Sequence, residues 1–227
     1  MRYENVREGI FLKRLNRFTA LARIGEEEMP VHVKNTGRLF DLLVPGNEAV
    51  LQKIGNPNRK TAFDLIGIRK NGKLYNVDSL APNEVVHEWL EGQDFDSIRP
   101  ETAYVSSRID FSMERGGEPY LLEVKGCTLE RNGIGYFPDA PTERGMKHVL
   151  ELTRAAGDGI HAGIAFVACM KGVSRVLPND EIQPDFGKAL RQAQRAGVAV
   201  FVLETDPKVD EIHVTCAHRL SLGNDCK

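Results

Sequence analysis

The sequence has few of the features that mark membrane or disulfide-stabilised proteins. Among its 227 residues there are four cysteines, one tryptophan and 7% aromatic residues, and no apolar run approaches the roughly 20 residues of a membrane-spanning helix. The cysteines (Cys127, Cys169, Cys216 and Cys226) are widely spaced without a Cys-x-x-Cys pair, so neither a zinc site nor a disulfide framework is indicated. Basic residues from Lys13 to Arg17 interrupt the amino-terminal segment and argue against a signal peptide. We therefore expect a cytoplasmic protein with reduced thiols and no membrane partner.

The composition that remains is that of a folded protein with an uneven charge distribution. Hydrophobic residues make up 41% of the chain and charged residues 27%, which is enough apolar material for a packed core. Residues 1–78 carry 14 lysines and arginines against 9 acidic residues, whereas residues 79–227 carry 16 against 23. The basic front part is a modest indication of polyanion binding, and an ordinary mixed surface explains the charges equally well.

Residues 10–77 alternate short apolar runs with turn-forming residues. Pairs such as Pro45-Gly46 separate runs rich in Val, Ile, Leu and Phe. Asn71-Gly72, flanked by apolar runs, is the strongest hairpin signal in this part of the chain. The predicted strands cover 10–24, 29–35, 38–44, 48–54 and 61–77. About five strands in so short a segment predict a small β-barrel, and we assign residues 1–78 to it.

The periodicity changes after Asp78. A helix is predicted within 79–92, with Ser79 or Asn83 as its cap and Gly92 as its end. Two charged strands follow, and then an irregular segment over 127–141. The remaining predicted elements are helix 142–156, strand 163–170, helix 184–196 and strand 198–204. Helices that alternate with buried strands predict an α/β domain, which we assign to residues 79–227, so that the chain as a whole is α/β with an α+β organisation.

The segment SRIDFSMERGGEPYLLEVKG, residues 107–126, places charged residues within two predicted strands. If the hairpin turns on Gly116-Gly117, Asp110 lies opposite Glu123 and Arg108 lies opposite Lys125, all on one face. An odd loop would break this register. The apolar residues of both strands then share the other face, which supports the pairing.

Two carboxylates that face each other repel unless a cation lies between them. Mg²⁺ or Mn²⁺ suits carboxylate, carbonyl and water oxygens, and such ions are often bound together with substrate phosphates. Lys125 is then placed to orient or deprotonate an attacking water, or to meet charge that develops on a phosphate. The alternative is that Asp110 and Glu123 form ion pairs with Arg108 and Lys125 on a solvated face.

Beyond this hairpin, the order of the elements resembles the PD-(D/E)xK nuclease core, with a helix, a strand carrying Asp, a strand carrying Glu-x-Lys, a helix and a strand. More closely, the chain resembles the SfsA family, the sugar fermentation stimulation proteins. The matching segments span most of the chain and are KRLNRF (13–18), NTG (35–37), PG (45–46), SRIDF (107–111), LEVKGCTL (122–129), YFPDAPTERGMKH (136–148) and the GIAFV strand.

The resemblance implies an OB-like barrel joined to a nuclease-like α/β domain, with DNA binding as the usual description of the family and nuclease activity inferred from the fold. Carried over to this chain, Asp110 and Glu123 are the metal ligands and Lys125 is the catalytic lysine. The acid of the first helix falls on Glu88, with Glu84 one turn away as the alternative.

Two further groups of residues are candidates for nucleic-acid contact. On the helix after Pro141, a polar face is predicted opposite Met146, Val149 and Leu150. In the barrel, basic residues alternate with Phe18 and Phe40, which are either a stacking surface or part of the core. This helix face contains Glu151 and the basic residues Arg144, Lys147 and His148. The alternative interpretation of the face is an ordinary solvated helix surface. The other predicted contacts are Arg14, Arg17, Lys34 and Arg38 of the barrel and Arg108 of the hairpin.

Together these features predict a DNA-binding protein with a Mg²⁺- or Mn²⁺-dependent nuclease site. RNA is the second candidate substrate, and the chain is expected to act as a monomer or homodimer. One alternative is a non-enzymatic DNA-binding regulator of sugar-utilisation genes. A weaker alternative is a metal-dependent hydrolase of a small phosphorylated substrate.

Overall fold

The computed structural model describes residues 1–222 and begins with a closed β-barrel. Its strands are β1 (Val6–Asn16), β2 (Thr19–Ile24), β3 (Glu27–Val33), β4 (Glu48–Lys53), β5 (Phe63–Lys70) and β6 (Lys73–Asn76). The sheet order is β3-β2-β1-β4-β5-β6, and pairing between β3 and β5 closes five strands into a barrel. This is the five-stranded architecture of an OB fold, so the predicted barrel is confirmed.

Turn chemistry explains one success and one error of the strand prediction. Asn71 and Gly72 have φ of 51° and 76° and join Lys70 to its partner Lys73, as expected of a two-residue hairpin. The predicted strand over 38–44 is wrong. Consecutive turns replace the ladder there, because the amides of Leu42 and Leu43 both bond to the Leu39 carbonyl at 3.0 and 2.8 Å. Leu39 and Leu42 are nevertheless buried, which explains the apolar pattern.

The rest of the described chain is a mixed α/β domain. Its main sheet has the order β15-β14-β12-β9-β8-β7, and a small sheet has the order β10-β11-β13. The elements are α1 (Ala81–Glu91), β7 (Ser97–Tyr104), β8 (Ser107–Arg115), β9 (Glu118–Cys127), β10 (Leu129–Arg131), β11 (Ile134–Phe137), α2 (Glu143–Gly157), β12 (His161–Ala168), β13 (Arg175–Pro178), α3 (Pro184–Arg195), β14 (Ala199–Thr205) and β15 (Val214–Arg219). The segment predicted to be irregular thus contains β10 and β11, whose partner β13 is distant in sequence.

Helices cover both faces of the main sheet. On one face α1 packs Val86 and Leu90 against Val124. On the other face α2 and α3 pack against Ile164 and Phe166. The bounds of α2 follow from its cap, because the Thr142 side chain accepts a 2.9 Å hydrogen bond from the Gly145 amide. Within the described residues, no helix is long and apolar enough to cross a membrane.

The barrel and the sheet domain share a hydrophobic cluster. Tyr3, Val50 and Ile66 of the barrel pack with Val85 of α1 and with Ile212. The backbone strengthens this junction, since the Asn76 amide donates to the Cys169 carbonyl at 2.8 Å. Of the four cysteines, Cys127 and Cys169 are buried and Cys216 is exposed, while Cys226 lies outside the described residues.

Candidate active site

The hairpin of β8 and β9 has the register that the sequence predicts. Phe111 pairs with Leu122 and Arg115 with Glu118, joined by Gly116-Gly117. Both glycines have positive φ, 58° and 82°, which suits a tight two-residue turn and is costly for other residues. The ladder stops at Phe111 and Leu122, one residue before the two acids.

Beyond the end of the ladder, the side chain of Asp110 provides the next hydrogen bond between the two strands. Its Oδ2 accepts a hydrogen bond from the Val124 amide at 2.7 Å, and its Oδ1 accepts one from Asn83 Nδ2 of α1 at 2.9 Å. The carboxylate is therefore fixed from two elements. Burial, and secondly the negative charge of Glu123, raise the pKa of Asp110 above its ordinary value. The repulsion between the two acids that the sequence predicts is thus present.

Glu123 is the most deeply buried acid of the site, with 1% of its surface exposed. Its Oε1 accepts a hydrogen bond from Lys125 Nζ at 2.5 Å and contacts His148 Nδ1 of α2. Burial by itself raises the pKa of Glu123, but the His148 hydrogen bond and the Lys125 charge outweigh it, so the pKa is lowered. The result is an ionised carboxylate inside the protein.

The second oxygen of this carboxylate, Glu123 Oε2, is buried and has no hydrogen-bond partner among residues 1–222. An unpaired buried oxygen of an ionised acid is costly, so it calls for a ligand. Asp110 lies close enough for its pKa to respond to Glu123, and each of its oxygens has a further lone pair. Two carboxylates with such free positions fit a hard divalent cation.

Helix α2 is turned differently from the prediction. His148 and Glu151 are buried, at 3% and 8% exposure, whereas Leu150 is 56% exposed. The alternative of an ordinary solvated helix face is therefore wrong for these two residues, which point inward and bond to Glu123 and Ser106. Glu151 Oε1 accepts from Ser106 Oγ at 2.8 Å, just ahead of β8.

The other two basic residues of that predicted face are exposed. Lys147 donates to the Ser106 carbonyl at 2.7 Å, so it also ties α2 to the start of β8, and Arg144 lies one turn earlier. Arg108 is exposed as well and pairs with Glu101 at 3.1 Å, beyond the end of the β8–β9 ladder. Its predicted position opposite Lys125 is therefore not realised.

Glu88 is not brought to the two acids. It is exposed and forms an ion pair with the Met1 ammonium group. In an α-helix, five residues correspond to a rotation of about 140°, so Glu88 points away from Asn83, which does contact Asp110. The sequence predicted Asn83 as a helix cap, yet neither it nor Ser79 caps α1. Glu84, the alternative acid, is exposed.

Two of the basic barrel residues have internal partners. The Arg14 guanidinium donates to four backbone carbonyls besides that of Asn16, including Gly37 at 2.8 Å and Arg17 at 2.8 Å. Lys34 forms an ion pair with the buried Asp78. Both side chains therefore hold the barrel and its loops together.

Arg17 and Arg38 lie instead beside exposed rings. Their guanidinium carbons are 5.6 and 5.8 Å from the ring centroids of Phe18 and Phe40. These rings are 50% and 74% exposed, so the interpretation that they belong to the core is wrong. The barrel surface defined by these four residues, here called the stacking surface, is cationic and aromatic.

Comparison with known proteins agrees with both halves of this architecture. Residues 12–77 match the family model for the SfsA N-terminal OB domain, and residues 80–211 match that for the sugar fermentation stimulation protein RE domain. The structure of Pyrococcus furiosus SfsA in complex with Ca²⁺ superposes with a TM-score of 0.87 at 28% identity over 96% of both chains. Sugar fermentation stimulation protein homologues from Clostridium tetani and Desulfitobacterium hafniense are 47% and 45% identical, each over 93% of this chain and 94% of their own. The chain belongs to the sugar fermentation stimulation protein family.

Proposed function

We propose that this protein binds nucleic acid, DNA in the first place, and hydrolyses its phosphodiester bonds at Asp110, Glu123 and Lys125 with Mg²⁺ or Mn²⁺. The observation that carries the proposal is the buried, ionised Glu123, whose Oε2 is unpartnered beside a second carboxylate. A protein that only bound nucleic acid would gain nothing from two acids near a phosphate. The Ca²⁺ complex of the Pyrococcus furiosus relative supports a divalent cation in this fold.

Asp110 and Glu123 would both bind the cation in this mechanism, and the protein holds them in different ways. Glu123 Oε2 and a free position of Asp110 would hold the cation, which supplies Lewis-acid polarisation of the phosphoryl group and lowers the pKa of water. Asp110 is held by Asn83 and the Val124 amide, so its orientation does not depend on the substrate. Fixed ligands lose little entropy when the substrate arrives.

Lys125 supplies a positive charge from the protein at the candidate active site. Its ammonium group bonds to Glu123 and its side chain is 14% exposed, so it is placed at the acids but keeps access to solvent. From there it would donate a hydrogen bond to the attacking water or to the phosphate oxygen on which charge accumulates. His148 acts through Glu123, and we regard it as a positioning residue.

The stacking surface would supply affinity for the strand. Exposed Phe18 and Phe40 offer faces for unpaired bases, and Arg17 and Arg38 offer charge for the phosphates. Bases in a duplex are already stacked on each other, so this surface favours single-stranded substrates. The internal ion pairs of Lys34 and the carbonyl contacts of Arg14 remove these two residues from the proposed contacts.

The test uses labelled single- and double-stranded DNA and RNA, incubated with the protein in EDTA, Mg²⁺ or Mn²⁺. We expect cleavage with Mg²⁺ or Mn²⁺, no cleavage in EDTA, and none by Asp110→Asn, which should still bind the strand in Ca²⁺. Glu88→Gln is the matched control, since this acid is exposed and paired with the amino terminus. Intact binding without cleavage of any substrate would sink the nuclease proposal and favour a DNA-binding regulator.

A further inference from the structure

A second group of side chains that can bind a metal lies near the opposite edge of the main sheet, on β14 and β15. Glu204 of β14 pairs directly with Cys216 of β15, and His218 follows two residues later, so all three share one face. The candidate ligand atoms of these three residues lie within 4.8 Å of one another. Their side chains come from two strands and converge without any bend of the backbone between Cys216 and His218.

The orientation of His218 points to a ligand. Its Nε2 lies 2.7 Å from the Ser174 carbonyl, an acceptor, so this nitrogen carries a proton. Nδ1 lies 3.7 Å from Glu204 Oε1. In the neutral imidazole, Nδ1 presents a lone pair to this carboxylate, and a cation between them, either a proton or a metal ion, removes the repulsion. Metal-binding histidines typically donate their second N–H to a carbonyl in this way.

We propose that Glu204, Cys216 and His218 bind a thiophilic divalent cation of the zinc class, with water in the fourth position. Zinc takes thiolate, imidazole and carboxylate ligands at about 2.0–2.3 Å, so neighbouring ligand atoms of a tetrahedral site are roughly 3.4–3.8 Å apart. Because the ligand atoms lie within 4.8 Å of one another, their separations have to shorten by at most about 1.4 Å to reach this geometry. The sequence indicated no zinc site because the pattern considered was Cys-x-x-Cys. The ligands proposed here are a Cys-x-His pair and a glutamate from the neighbouring strand, which do not match that pattern.

This site is separate from the candidate nuclease site. Cross-strand partners run from Lys125 through Phe166 and Val202 to His218, which is three strand spacings, or roughly 14 Å. The chemistry differs as well, since Asp110 and Glu123 offer only oxygen, whereas Cys216 offers sulfur.

The cation would stabilise the edge strand β15. β15 is the last strand of the main sheet and pairs only with β14 within the described residues. A metal bound by Glu204, Cys216 and His218 would cross-link these two strands, and the Ser174 contact extends the link to the segment before β13. Because binding to the folded state stabilises it, Zn²⁺ should raise the unfolding temperature.

Cobalt(II) alone is the probe for the test, because a thiolate ligand gives Co²⁺ an intense charge-transfer absorption. All proteins carry Cys226→Ser, so that this thiol does not contribute. The buried thiols are poor competitors, since burial raises the pKa of Cys127 and, to about 12, that of Cys169. We expect one equivalent of Co²⁺ to produce the band and Zn²⁺ to remove it.

The variants decide which residues hold the metal. Cys216→Ser should abolish the band, and His218→Gln should weaken Co²⁺ binding by about a hundredfold or more. His213→Gln, an exposed histidine near the start of the same strand, is the control and should bind as the parent does. Asp110→Asn should also leave the band intact, which separates this site from the proposed nuclease site.

Two results would overturn the proposal. One is the absence of a thiolate band at stoichiometric Co²⁺ in the Cys226→Ser protein. The other is a band that survives in His218→Gln with unchanged affinity, since Cys216 would then be an isolated surface thiol. Cys216 is exposed, so its replacement by serine leaves the packing intact and these outcomes can be interpreted.

Discussion

The two domains present their polar residues in opposite ways. In the sheet domain, Asp110, Glu123 and His148 are largely buried and bonded to one another or to neighbouring elements. In the barrel, Phe18 and Phe40 are exposed and lie beside arginines. Chemistry at a phosphate needs groups in fixed positions, whereas binding to strands of varied sequence tolerates an open surface. Loss of a buried site residue should therefore affect catalysis, and loss of a barrel residue should affect affinity.

Apart from changes of the two acids, the largest expected effect comes from Lys125→Met, which keeps the length of the side chain and removes its charge. We expect cleavage to slow by about 10²–10⁴-fold, because the variant lacks the group that we propose donates to the water or phosphate. Affinity for the strand in Ca²⁺ should change little. Single-turnover rates and a binding titration measure the two quantities. Lys171→Met, which alters an exposed lysine paired with Asp206, is the control, and an equal loss in this variant would contradict the assignment.

His148→Asn should reduce cleavage by about 10–100-fold, because Glu123 loses the contact that orients it and holds its charge. The loss should appear as a higher Mn²⁺ concentration for half-maximal activity and should be partly rescued by excess Mn²⁺. A merely structural role would lower activity equally at every Mn²⁺ concentration. Lys147→Gln, the exposed neighbour on α2, should leave the Mn²⁺ dependence unchanged.

The barrel should respond in affinity alone. Phe18→Ala and Phe40→Ala should each weaken single-stranded DNA binding by about 1–3 kcal/mol, the usual contribution of a base stacked on an aromatic ring. Cleavage at saturating protein should be unaffected. Leu15→Ala is the matched control, since Leu15 is 49% exposed and apolar but not aromatic. If Leu15→Ala weakens binding as much, apolar area and not stacking accounts for the affinity.

The smallest effect concerns stability. The pKa of Asp110 is raised in the folded protein, so its ionisation costs stability at every pH above its pKa in the unfolded chain. Asp110→Asn removes this cost, and Asn83 can turn its amide to keep the hydrogen bond. In metal-free buffer near neutral pH, we expect the unfolding temperature to rise by about 2–4 °C, as about 1 kcal/mol does in a protein of this size.

This gain should vanish as the pH falls into the acid range, where the aspartate is protonated in both states. Arg17→Gln on the barrel should leave the unfolding temperature unchanged, because this side chain is exposed. A lower unfolding temperature for Asp110→Asn near neutral pH would mean that the Asp110 hydrogen bonds outweigh its desolvation and its repulsion from Glu123.

The sequence was most informative where local patterns determine the structure. The alternation in β8 and β9, together with Gly116-Gly117, was sufficient to predict the register, because a slip by one residue would expose every apolar side chain. The pair Asn71-Gly72 and the end of α1 at Gly92 also followed from local chemistry. The strand predicted over 38–44 failed because buried leucines in tight turns give the same apolar pattern as a strand.

The residues that were misjudged depend on partners distant in the chain. His148 has the sequence context of a surface residue, and only the packing of α2 over β9 brings it to Glu123. Asn83 and Glu88 lie on the same short helix, and its rotation against β8 decides which of them reaches Asp110. Arg14 and Arg17 are the same residue type in the same short segment, yet Arg14 bonds to backbone carbonyls and Arg17 lies over Phe18. Such choices are made by tertiary structure, which a local pattern does not contain.

Single-turnover cleavage of one labelled single-stranded DNA by the wild type and by Glu123→Gln, with protein in excess and Mn²⁺ present, tests the central claim most directly. Glutamine keeps the shape of the side chain but removes the charge that the cation requires. We expect the wild type to cut the strand and Glu123→Gln to cut it at least about a thousandfold more slowly, with equal affinity in Ca²⁺. Equal cleavage rates for the two proteins would contradict the claim that these buried acids form the active site.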